Sequence, residues 1–103
     1  MSKHYHVKRT MGHEKADQLI SEGAKFEIMG NFVAATGKYM AAIAVDLTYT
    51  DAYEIALSCL KNLKDYCSKN GLQTEKIEDK IVVIAKLGVR KRLFRSSDLA
   101  LIL

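Results

Sequence analysis

A chain of 103 residues, 49% of them hydrophobic, is long enough for one domain with a packed core and too short for several. It has no Pro, which removes the commonest helix breaker and favours long helices joined by Gly and Asn turns. The net charge of +4 is unevenly placed: residues 1–15 and 69–103 are net basic, and residues 16–68 are net acidic.

Residues 1–12 are polar and basic without helical period, and are expected to form a flexible arm. They contain no apolar run of signal-peptide type. No stretch of the chain approaches the roughly 20 apolar residues that cross a bilayer. A soluble, cytoplasmic protein with no membrane span is therefore expected. His4 and His6 alternate, but no Cys or carboxylate at ligand spacing supports a metal site. No metal and no cofactor is expected.

His13 to Met29 reads as a first helix, with Ala16, Leu19, Ile20, Gly23, Phe26 and Ile28 as its apolar face. Gly30 ends it, and Asn31 caps the next. Phe32 to Val45 is an Ala-rich second helix in which Ala35, Tyr39 and Ala42 form one stripe. Thr50, or else Thr48, caps a third helix from Asp51 to Lys69. Its apolar set is Ala52, Tyr53, Ala56, Leu57, Cys59, Leu60, Leu63 and Tyr66, and Asn70-Gly71 ends it.

Cys59 and Cys67 on one helix are separated by about 12 Å of rise. A disulfide tolerates about 7 Å between Cα atoms, so these two do not pair. Cys59 is expected in the core.

Thr74 caps a fourth helix from Glu75 to about Leu87, with Ile77, Ile81, Ile84 and Ala85 facing inward. The β-branched run Ile81-Val82-Val83-Ile84 leaves a strand as the alternative for residues 81–87. Gly88 interrupts. Arg90, Lys91, Arg92 and Arg95 then form a basic segment around Leu93 and Phe94, and Ser96-Ser97-Asp98 is a cap for a short C-terminal helix. The final Leu99-Ala100-Leu101-Ile102-Leu103 is too apolar to stand in water. It either folds back on the bundle or docks on another molecule.

Gly23, Phe26, Gly30, Phe32, Ala35, Tyr39 and Ala42, followed by the Asp46–Tyr53 join, resemble one degenerate tetratricopeptide repeat (TPR) covering residues 16 to 60. Leu19, Glu22 and Leu47 depart from the family's Trp, Leu and Pro. The helix pair is also similar to that of the microtubule-interacting and trafficking domain, but the Asp46–Tyr53 join favours the repeat. Independently of the family, small residues at 23, 35 and 42 let two antiparallel helices approach while Phe26, Phe32 and Tyr39 fill the seam. The expected fold is all-α: antiparallel hairpins in a TPR-like right-handed stack of about four helices, residues 13–103, plus a short C-terminal helix.

The resemblance implies a protein-interaction module, an adaptor or scaffold that binds a peptide or helix in a groove. Carried over by position, the groove is Asp17, Ile20, Ala24 and Glu27 from the first helix and Asp51, Glu54, Ser58, Lys61 and Asn62 from the third. Its acidity suits a basic, amphipathic partner. Self-association through the groove or the C-terminal tail is an alternative, with the chain's own Arg90–Arg95 segment as ligand. A second class is a small nucleic-acid-binding protein using the N-terminal arm and Arg90, Lys91, Arg92 and Arg95. There is no G-x-S-x-G, H-E-x-x-H or phosphate loop, so an enzyme is not expected.

Overall fold

The structure, a computed structural model, describes residues 11–102 and is all-helical, with no strand among them. Four long helices follow one another: α1 (Met11–Ile28), α2 (Phe32–Val45), α3 (Thr50–Lys69) and α4 (Glu75–Arg90). A 3₁₀ turn (Ser96–Asp98) and a short α5 (Leu99–Ile102) complete the described chain. Met11 and Gly12, expected in the N-terminal arm, belong to the first turn of α1, and the rest of that arm lies outside the described residues. Residues 81–87 are helical, because Ile77, Ile81, Ile84 and Ala85 bury one face at helical spacing.

Each helix packs on its neighbour in the chain: α1 on α2, α2 on α3, α3 on α4, with only a marginal contact between α1 and α3. This is an open stack. A closed four-helix bundle would also seal α1 against α4, which are not paired here.

The α1–α2 seam works by close approach. Gly23 is buried, and a Cβ there would stand 2.5 Å from Cε1 of the Tyr39 ring. Ala16, Ala35 and Ala42 are fully buried along the same seam. Tyr39 fills the space they leave, and its hydroxyl donates to Glu27 Oε1 at 2.6 Å. Phe26 and Phe32 are half-buried against the core. Between α2 and α3, Thr36 Oγ1 lies 3.4 Å from Cys59 Sγ, with both residues buried. Cys59 and Cys67 are both free thiols, as their spacing requires. Tyr53, Leu60 and the α4 isoleucines form the far end of the core.

Three helices end in the same hydrogen-bonded turn. After α1, Asn31 N–H reaches Phe26 O and Gly30 N–H reaches Glu27 O, both at 2.9 Å. After α3, Leu72 N–H reaches Cys67 O and Gly71 N–H reaches Ser68 O. After α4, Leu93 N–H reaches Gly88 O at 2.8 Å and Arg92 N–H reaches Val89 O at 2.9 Å. This is the Schellman motif, whose C′ residue must take the left-handed conformation. Gly30 (φ 79°) and Gly71 (φ 69°) supply it, and after α4 the residue is Arg92, at φ 63°.

Several details differ from the sequence reading. Gly88 does not interrupt α4: the helix runs to Arg90, and Gly88 is buried within it because the Phe94 ring lies where a Cβ would stand. Thr50 is the first residue of α3 and Tyr49 its N-cap, with no side-chain capping bond. Thr74 does occupy the N-cap of α4, but its hydroxyl makes no capping bond. Asn31 caps as expected, its side chain accepting from Ala34 N–H at 3.2 Å. Ile28 (86% exposed) and Tyr66 (55%) lie outside the core; on α3 the packed stripe runs past Tyr66 through Leu63 and Cys67.

Candidate functional site

Along α3 one stripe, Ala52, Tyr53, Ala56, Leu57, Cys59 and Leu60, is buried. The opposite stripe, Asp51, Glu54, Ser58, Lys61 and Asn62, is exposed. All five α3 residues of the expected groove therefore face solvent. The C-terminal segment crosses part of this surface. The Schellman turn after α4 reverses the chain and drops Phe94 onto Gly88, where its ring meets Tyr53 edge-on at 5.9 Å between centroids. Arg95 N–H donates to Asp98 Oδ2 at 3.0 Å, which closes the 3₁₀ turn and carries the chain into α5. Leu93, Phe94 and Ile102 pack against the core of their own chain.

Between tail and helix lies a cavity of about 450 Å³. Glu54, Leu57, Ser58 and Lys61 line it from α3, and Phe94, Asp98 and Ile102 from the tail. Its floor is apolar and its rim carries two carboxylates and one ammonium, which suits a short amphipathic segment.

The α1 half of the expected groove is organised differently. The Tyr49 hydroxyl donates to Asp17 Oδ1 at 2.5 Å, and the Tyr39 hydroxyl donates to Glu27 Oε1. Both carboxylates hold the stack together and are not free acids lining a groove. Ile20 is half-buried against the core, and Ala24 is half-buried. With α1 and α3 barely touching, the structure does not join the two halves into one channel.

Asp46 completes this frame. Its carboxylate accepts from Thr48 N–H at 3.3 Å and lies 3.2 Å from His13 Nδ1. The Tyr53 hydroxyl donates to Leu47 O at 2.6 Å. These contacts tie the α2–α3 connection back to α1 and fix where α3 begins.

No protein family, curated protein or solved structure matches this chain. Burial, then the Glu27 carboxylate beside it, pushes the Tyr39 phenol well above its ordinary value. Burial likewise raises Tyr53, with the Asp46 charge adding to it. The Cys59 thiol is raised by burial against a smaller opposing hydrogen bond from Thr36. All three stay neutral near pH 7. Among the described residues no three His, Cys, Asp or Glu side chains converge on a metal position. No described helix is long and apolar enough to cross a membrane.

A second hollow, about 400 Å³, opens between α1 and α2 among Glu22, Lys25, Phe26, Met29 and Lys38. The Glu22–Lys38 ion pair at 2.9 Å crosses its edge. It contains no residue of the expected groove.

Arg90, Lys91, Arg92 and Arg95 are all exposed, and none forms an ion pair among the described residues. Sequence reasoning missed Leu57, Phe94, Asp98 and Ile102 as lining residues. Leu57 is in the core, as its spacing indicates, and also borders the cavity; the only signal for the others was the apolar tail, which packs by way of Gly88, 38 residues from the start of α3.

Proposed function

We propose that this chain is a protein-interaction module, a TPR-like helical stack that takes a peptide or helical segment along the exposed face of α3. It carries out no catalysis of its own. One observation carries this reading: the cavity that Glu54, Leu57, Ser58 and Lys61 share with the chain's own Phe94, Asp98 and Ile102. A segment already lies on that face, held by an aromatic anchor and an aliphatic end with a polar turn between them. This is the pattern of a helix or peptide seated in a groove.

The tail acts as a built-in occupant that a partner extends or displaces. Glu54 and Asp98 at the cavity, with Asp51 one turn before Glu54 on the same exposed stripe, favour a basic, amphipathic partner. The preference is set by α3 and the tail, since Asp17 and Glu27 are engaged by tyrosines.

The test is selection from a displayed peptide library on the full chain and on its Phe94→Ala and Glu54→Lys variants. Enrichment of segments with apolar residues at helical spacing flanked by Lys or Arg is expected. It should strengthen for Phe94→Ala, which loosens the tail, and weaken for Glu54→Lys. No enrichment, or enrichment indifferent to both substitutions, removes the α3 face from consideration.

A further inference from the structure

The buried face of α4 is Ile77, Ile81, Ile84, Ala85 and Gly88. Its outward face carries Lys76, Asp79, Lys80, Val83, Lys86 and Arg90, all exposed and spaced by one to four residues. Lys76 to Arg90 covers about 21 Å of helix axis. Lys91, Arg92 and Arg95 continue the cationic run past the helix end, all exposed. None of these seven cations forms an ion pair among the described residues; the only α4 pair is Glu78 with Lys64, at 3.1 Å on the side facing α3. The acids near the run are Glu75 and Asp79, both exposed and one turn apart on α4, and Asp98, which is bonded to Arg95 N–H.

Stability does not explain this arrangement. Cations in a last helical turn favour the dipole, which accounts for Arg90 and Lys91. Lys76 sits in the first turn, where that argument reverses. Lys76–Lys80 and Lys86–Arg90 are like-charged pairs four residues apart, which destabilise a helix. Arg92 is the most telling. Two sister turns in this chain use Gly at the left-handed position, and the third places an arginine there at φ 63°. An L-residue held in that region costs free energy that glycine would not. Backbone strain at a charged, exposed position points to use of the charge.

We propose that the outer face of α4, continued through Lys91, Arg92 and Arg95, is a docking surface for the phosphate backbone of a nucleic-acid duplex. Charge complementarity selects the occupant. Over about 21 Å each strand of a duplex presents about six phosphates; Lys76, Lys80, Lys86 and Arg90 lie within that length, and Lys91, Arg92 and Arg95 extend the cationic run beyond it. The face has no exposed aromatic side chain for stacking on unpaired bases, which disfavours a single strand. Its one large exposed apolar side chain is Val83, and the α4 isoleucines are in the core, so the face lacks the broad apolar stripe that inserts into an anionic lipid surface. Contacts of this kind position a protein without reading sequence. The surface shares no residue with the α3 cavity, so it stands independently of the peptide-binding reading.

The test is fluorescence anisotropy of the full chain with two labelled duplexes of unrelated sequence, titrated over about 50–200 mM salt, the range in which counterion release is steep. Equal affinity for both duplexes is expected, with log K falling against log salt at a slope of about −4.5 for five neutralised phosphates. Lys80→Ala with Arg90→Ala should reduce the slope by about 1.8 and weaken binding about 60-fold near 0.1 M salt. Arg92→Gly suits its backbone position, so it keeps the fold while lowering affinity about 8-fold and the slope by about 0.9. Lys25→Ala on α1 should change neither quantity. Vesicles containing phosphatidylserine form the second arm. Binding to vesicles but not to duplex overturns the proposal, as does duplex binding that the α4 substitutions leave unchanged, or no binding to either.

Discussion

Replacing Gly23 by Ala tests the α1–α2 seam directly. An added Cβ would stand 2.5, 2.8 and 3.0 Å from three atoms of the Tyr39 ring. Ordinary carbon contacts lie near 3.5–4.0 Å. The ring cannot swing clear: it is 1% exposed, and its hydroxyl is tethered to Glu27 at 2.6 Å. Relief must therefore come from a shift of α1 against α2. Overpacking of this kind costs about 1–3 kcal/mol. Alanine recovers about 1 kcal/mol of helix propensity over glycine. The expected net change is a loss of about 1–2 kcal/mol, since the contact is with a pinned ring and lies at the upper end of that range. Gly37 on α2 is the control. It is exposed with nothing within 4 Å of its Cβ position, so Gly37→Ala should gain about 0.5–1 kcal/mol. Urea unfolding followed by circular dichroism, with both variants beside the parent chain, reads the two signs. A Gly23→Ala chain as stable as its parent would refute close approach at this seam.

Three further outcomes follow from the same geometry. Arg92→Gly removes left-handed strain at a Schellman turn and should raise stability by about 0.5–1 kcal/mol in the same urea assay; a loss would mean that the arginine side chain supports the fold. Tyr39 holds its proton in the folded state beyond the pH at which the unfolded phenol releases it, near 10.0. The folded pKa is the higher one, so its contribution is complete below pH 10 and is lost as pH rises beyond it. Stability against pH should be flat from neutrality to about 9 and fall above about 10, less steeply in Tyr39→Phe, as read by unfolding midpoints; equal slopes in both chains would contradict the assignment. Phe94→Ala empties the space beside Gly88 and Tyr53, and should cost about 2–4 kcal/mol because the ring is half-buried. A chain equally stable without that ring would mean that the tail does not dock on its own helices.

The helices and their ends were legible because they depend on local chemistry. Gly30 and Gly71 mark the two turns, Asn31 caps α2, and the alanine and tyrosine stripes gave the buried faces of α2 and α3. The α4 boundary was misread because Gly88 looks like a breaker in sequence, whereas its role is to make room for a ring six residues later. The placement of the candidate groove residues was half legible. Spacing alone put Glu54, Ser58 and Lys61 on one exposed face. It could not show that Asp17 and Glu27 meet tyrosine hydroxyls, since those partners lie 32 and 12 residues away and depend on how α1 crosses α2 and the α2–α3 connection. Likewise, the apolar tail announced that it needed a cover, and only packing chose α3. The basic segment was read as Arg90 to Arg95 alone. Its extension by Lys76, Lys80 and Lys86 emerges once residues 81–87 are helix, which places all of them on one face.

The α3 face and its resident tail can be tested most directly by nuclear magnetic resonance. A peptide of residues 89–103 would be titrated into the isotope-labelled Phe94→Ala chain, and the perturbed amides mapped. Perturbations are predicted at Glu54, Leu57, Ser58 and Lys61, with α1 silent. Perturbations confined to α1 and α2, or none at saturating peptide, would contradict α3 as the surface that receives a segment.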